Sequence, residues 1–127
     1  MQYGFSKNVN LSFEQAVEKV TDELKKEGFG VLTTIDVKET LKKKLDIDVE
    51  QYTILGACNP PFAHKAMEAE QEIGLLLPCN VIVYRKAEKT FVSAFNPMIM
   101  ETILNNPKIQ PIAEEVKARM ERVIAAM

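Results

Sequence analysis

Histidine and cysteine are scarce: the chain has one His and two Cys among 127 residues. That scarcity confines soft-ligand and nucleophilic chemistry to Cys58, His64 and Cys79. No Cys-X-X-Cys pair occurs, which argues against thioredoxin-like exchange. A glycine-rich phosphate loop is also missing, and the surroundings of the single histidine offer no Ser-His-Asp set. There is no cationic excess, with 16 Lys+Arg against 18 Asp+Glu and a net charge of −2. Nucleic-acid binders draw most of their affinity from a basic face that neutralises phosphates. The one cationic run, Lys42-Lys43-Lys44, is bracketed by Glu39, Asp46 and Asp48 and reads as a solvated helix face, so no nucleic-acid partner is expected.

Long apolar runs are absent too. The longest, Ile73 to Leu77, is far too short to span a bilayer, and the start from Met1 to Lys7 lacks the apolar core of a signal peptide. A cytoplasmic location without a membrane partner is expected, with both cysteines kept as free thiols. No repeat, linker or low-complexity tract divides residues 1–127, which are expected to form a single domain large enough to bury its own core.

What is present reads as alternating strands and helices. Gln2 to Asn8 forms a short strand. Ser12 is an N-cap for a helix carrying Phe13, Ala16, Val17, Val20 and Leu24 at helical spacing, with Gln15 completing a capping box. Gly28 suits the left-handed position that ends it. Val31 to Asp36 is a strand and Val37 to Leu45 a short surface helix. Gln51 to Cys58 is a third strand, followed by Asn59 as N-cap, Pro60 or Pro61 in the first turn and a helix from Phe62 to Gln71. Leu76 to Arg85 and Thr90 to Phe95 make a hairpin. After Asn96-Pro97 the pattern is helical, and a last amphipathic helix runs from Pro111 to Met127. The order predicts an α+β sandwich, a mainly antiparallel sheet covered by helices on one face, with short extra helices between strands.

Both cysteines sit in Cys-Asn pairs flanked by proline. The segment Ile54-Leu55-Gly56-Ala57-Cys58-Asn59-Pro60-Pro61-Phe62-Ala63-His64-Lys65-Ala66, with Ile73-Gly74-Leu75-Leu76-Leu77-Pro78-Cys79-Asn80-Val81, resembles the bacterial and archaeal domain-of-unknown-function family numbered 302. The resemblance runs from the Phe13 helix to the hairpin near Asn96. It implies a small α+β fold of TATA-binding-protein-like topology, β-α-β(4)-α, often dimeric. It implies no activity, since the family is named for lacking one, and a fold name implies nothing about DNA.

If the strands carrying Cys58 and Cys79 are antiparallel neighbours, the thiols meet at one end of the sheet; a parallel crossover would separate them. Several roles compete there. A metal site would use Cys58, His64 and Cys79, with water or Glu68 as the fourth ligand, and would suit zinc or copper(I). Thiol-based redox or sulfur handling would use Cys58 with Cys79 as the resolving thiol, because helix N-termini favour anions. Binding without chemistry would use a pocket lined by some of Tyr52, Phe62, Tyr84, Phe91 and Phe95, with Asn59, Asn80 and Asn96 orienting the ligand. Alternatively the thiols are structural, packing as small hydrophobes. The hairpin edge from Ile82 to Phe95 could pair with its twin in a homodimer. The six methionines read as core or dimer packing, and Glu68 and Glu72 as a solvated helix face.

The expectation is a homodimeric protein that binds a small molecule or soft metal at the Cys58/His64/Cys79 end. Asn59, Asn80, Phe62 and Tyr84 are the ligand-binding candidates, and Cys58 and Cys79 the candidates for any catalysis.

Overall fold

The computed structural model describes residues 2–127. Strand β1 (Gly4–Val9) leads into helix α1 (Phe13–Lys26). The helix starts where expected. Gln15 N–H donates to Ser12 Oγ at 3.1 Å, and Ser12 N–H donates to Gln15 Oε1 at 3.1 Å. It ends in a Schellman motif: Gly28 sits at φ +86°, its N–H bonds Lys25 O, and Phe29 N–H bonds Leu24 O.

Strand β2 (Gly30–Asp36) and helix α2 (Val37–Leu45) follow, with Asp36 capping α2 through Glu39 N–H. Strand β3 (Tyr52–Cys58) passes into helix α3 (Pro60–Ala69) and a 3₁₀ segment, Gln71–Leu76. Strands β4 (Cys79–Lys86) and β5 (Lys89–Phe95) form the hairpin, and helices α4 (Met98–Leu104) and α5 (Gln110–Ala125) close the chain. The hairpin turns through Ala87 and Glu88, both at positive φ, which matches the right-handed twist of the strands it joins.

All pairings are antiparallel, in the order β1-β5-β4-β3-β2. This is the expected β-α-β(4)-α order with α2, α3, the 3₁₀ segment and α4 inserted. Three details differ. Leu76 and Leu77 lie before β4, because the apolar run folds as a 3₁₀ turn ahead of Pro78. Helix α3 starts at Pro60 and stops at Ala69, so Glu68 and Glu72 share no helix face. The β4–β5 hairpin lies inside the sheet, so the edge proposed for dimer pairing does not exist; the free edges belong to β1 and β2.

Alternation sends Leu55, Ala57, Val81, Val83, Val92 and Ala94 to one face. There they are buried against Ala16, Val20 and Leu24 of α1 and Val116, Met120 and Val123 of α5. Each such Val or Leu contributes roughly 1.5–3 kcal/mol by leaving water. A second cluster, Ala66, Ile73, Met100, Ile109 and Ala113, joins α3, the 3₁₀ segment, α4 and α5. The opposite sheet face carries the row Ile35, Ile54, Ile82, Ser93 and Ser6, and the row Tyr52, Tyr84 and Phe91. Those three rings stack at centroid spacings of 5.5 and 5.2 Å. Among the described residues, no helix is long and apolar enough to cross a membrane.

Candidate functional site

The local sequence sets the geometry where β3 gives way to α3. Pro60 and Pro61 occupy the first helical positions, where a fixed φ is favourable and a missing N–H costs nothing. Two prolines also remove donors that a cap would satisfy, and Asn59 makes no side-chain cap bond. Its buried side chain turns instead to the end of α1, where Asn59 Nδ2 donates to Glu27 O at 3.2 Å. Arg119 Nη1 of α5 donates to the same carbonyl at 2.8 Å. Glu27 is the C-cap of α1, so these donors satisfy one of the carbonyls a helix end leaves open.

The Glu27 carboxylate accepts from Arg122 Nε at 3.1 Å and Nη2 at 2.8 Å. That hydrogen bonding holds the Glu27 carboxyl below the usual range. The Arg119 guanidinium also lies 5.1 Å from the centroid of the Phe62 ring. One carbonyl and one ring thus tie together the end of α1, the start of α3 and the middle of α5.

Beside this junction lies a cavity of about 380 Å³. The sheet side supplies Phe29, Ala57, Cys58 and Cys79; α3 supplies Phe62, Ala63, Ala66 and Met67; α5 supplies Ile112, Ala113 and Val116. The space exists because Ala57, Ala63, Ala66, Gly74 and Ala113 stand where larger side chains would fill it. Leu32 and Met67 are the exposed large hydrophobic side chains of its rim, which Thr33, Gly74 and Pro78 complete. Gly56 belongs to the same end of the sheet: a Cβ there would run into Thr33 Oγ1, so only glycine lets the bulged strand β2 lie this close.

Both thiols are free and both line the cavity. Their register is offset by one step, because Cys79 stands opposite Ala57. Successive strand positions alternate across a pleat, so Cys58 is a neighbour of Cys79 but not its direct cross-strand partner. Cys79 is buried. Burial first, and then the neighbouring Cys58, push its thiol up to about 11, which keeps it protonated at neutral pH. A protonated thiol is a poor nucleophile and a poor metal ligand.

Phe62 and Asn59 are in the cavity wall, as are Cys58 and Cys79. His64 is not. It is 75% exposed on α3, with Nδ1 3.6 Å from the Glu68 carboxylate. Among the described residues no three His, Cys, Asp or Glu side chains come together as a metal site, so the donor set drawn for zinc or copper(I) is not assembled. Asn80 is exposed on the open face opposite Gly56, and Tyr84 belongs to the stacked ring row there. Tyr52, Phe91 and Phe95 are also outside the wall. Asn96 is occupied structurally: its Nδ2 donates to Gln2 O at 2.9 Å and its Oδ1 accepts from Met98 N–H at 3.0 Å.

Sequence reasoning missed Phe29, Leu77, Met100, Ile112 and Val116, which come from four separate segments of the chain. The available signal was the alanines Ala57, Ala66 and Ala113 at core positions.

Comparison with known proteins agrees with the fold. The family model described as "Domain of unknown function DUF302" matches residues 5–127. The crystal structure of an uncharacterized conserved DUF302 protein from Bacillus stearothermophilus is 27% identical, with 98% of each chain covered and a TM-score of 0.91. No curated protein matches the chain.

Proposed function

We propose that this chain, which belongs to the DUF302 family, binds a small molecule in the apolar cavity at the Cys58 and Cys79 end of its sheet. The cavity itself carries this proposal. Its volume of about 380 Å³ lies within the roughly 300–1,000 Å³ of small-molecule sites, and its apolar wall with few polar groups is typical of them. It also sits over a braced junction, so the wall is held in place by α1, α3 and α5 together. The thiols act in this site as soft, polarisable wall atoms.

The test uses N-phenyl-1-naphthylamine, a neutral dye that brightens in apolar surroundings. One dye should bind per chain and slow the reaction of Cys58 with a thiol reagent at least about five-fold, the effect of roughly 1 kcal/mol of protection. A saturated dye signal with an unchanged Cys58 rate would place binding elsewhere and sink the proposal.

Thiol chemistry using Cys58 with Cys79 is less well supported, because the offset register and the protonated, buried Cys79 both work against a resolving step.

The partner we assign to the open sheet face is a second copy of this chain. The face is apolar along Ile35, Ile54 and Ile82 and neutral along Ser93 and Ser6, with charge confined to the Lys86 and Lys89 pair at the hairpin end. Five strands about 4.8 Å apart and some 23 Å long offer on the order of 550 Å² in projection, and more over the pleated side chains. That approaches the about 800 Å² per partner of a standard interface.

A further inference from the structure

The cavity wall contains no Asp, Glu, Lys, Arg or His. A charged ligand placed there would lose its hydration against a wall with no opposite charge, since the Arg119 guanidinium over the Phe62 ring is already held by Glu27 O and the Glu115 carboxylate. Unpaired charge is the most costly group to bury. The wall nevertheless contains one polar side chain that is nine-tenths buried, Asn59, which is 7% exposed. Its two amide atoms differ in their circumstances. Nδ2 is committed to Glu27 O. Oδ1 is donated no hydrogen bond among the described residues, yet no buried side-chain oxygen is sealed off without a partner. Oδ1 therefore keeps some accessible surface, and Asn59 lines the cavity.

We infer that the ligand is an uncharged molecule with a hydrocarbon body and a single hydrogen-bond-donating end, such as an alcohol or an amide, whose donor meets Asn59 Oδ1. This rests on the cavity being the binding site. The body lies against Phe29, Phe62, Ile112 and Val116, and the donor replaces the water that Oδ1 would otherwise hold. The brace on Glu27 O fixes the amide orientation, so that Nδ2 faces the protein and Oδ1 the ligand. Recognition by one buried acceptor is selective, because an analogue lacking the donor leaves that acceptor unpaired.

The experiment is competition against bound N-phenyl-1-naphthylamine on the whole chain at about pH 8. The competitors are 1-decanol, its methyl ether and decanoate. The alcohol should displace the dye with a dissociation constant about five-fold lower than the ether, which accepts but cannot donate. It should also bind at least about ten-fold more tightly than ionised decanoate. Decanoate competing as well as the alcohol, or the ether matching it, overturns the ligand class while leaving the cavity as the site. A dye that does not bind, or that binds unchanged to Met67→Trp, overturns the cavity reading and this inference with it. Met67 is 40% exposed at the rim, so the larger ring can block entry without disturbing the core. Asn59→Ala should bring alcohol and ether to equal affinity, and the wild-type series stands on its own if that variant does not fold.

Discussion

Cys58 and Cys79 differ by one step of register across β3 and β4, and that step separates their environments. Cys79 points into the helix-covered side and is 7% exposed, while Cys58 at the strand end is half-buried. The raised Cys79 value makes stability depend on alkaline pH. Below about pH 9 the folded and unfolded chains both keep the proton, and the contribution of the buried thiol is complete. Between its ordinary value of 9.0 and about 11 the unfolded chain releases the proton while the folded chain holds it, so stability falls. Urea unfolding under reducing conditions should show the wild type losing about 2 kcal/mol more than Cys79→Ala between those limits. Equal losses would show that Cys79 has no such role. The sequence marked both thiols through their shared Cys-Asn and proline context. It could not distinguish them, because burial depends on which strand lies opposite.

Helix ends were legible where their partners are close in sequence. Ser12 with Gln15, and Gly28 after Lys25 and Lys26, act within a few residues of themselves, so their roles survive into the folded chain. Asn59 stands at the expected N-cap position of α3, but its side chain does not cap, because its partner, Glu27 O, is 32 residues away. The same distance explains the importance of Gly28. Its φ of +86° already strains any other residue, and a Cβ there would lie 3.1 Å from Asn59 Nδ2. Gly28→Ala should therefore cost about 1–2 kcal/mol and lower the urea midpoint. Gly30→Ala, two residues on, meets nothing within 4 Å and should leave the midpoint nearly unchanged. Equal effects of the two would show that the Schellman turn adds no stability. The start of β4 was misplaced for another reason: a short apolar run such as Ile73 to Leu77 fits a strand or a helical turn equally well.

At the scale of the whole molecule, the sheet has one face covered by α1 and α5 and one that no helix covers to the same extent. The ring row on the open face stacks on itself, so it presents ring edges and suits packing against another apolar surface better than nucleobase stacking. With a second copy as the partner, Ile82→Lys should convert a dimer to a monomer in light scattering while leaving the circular dichroism spectrum unchanged. A wild type that is monomeric at all concentrations, or an Ile82→Lys dimer, would remove the open face as the interface. What the sequence determined by itself was the order of strands and helices and the two Cys-Asn segments in which any thiol chemistry must lie. Apolar periodicity, caps and turn residues act over a few positions, and they suffice for β-α-β(4)-α. Only the tertiary structure decided the cavity and what belongs to it. Antiparallel pairing of β3 with β4 brought Cys79 beside Cys58 and left His64 outside on α3. The packing of α3 and α5 then left unfilled the space at Ala57, Ala66 and Ala113, because a void is the difference between distant surfaces and no local stretch of chain encodes it.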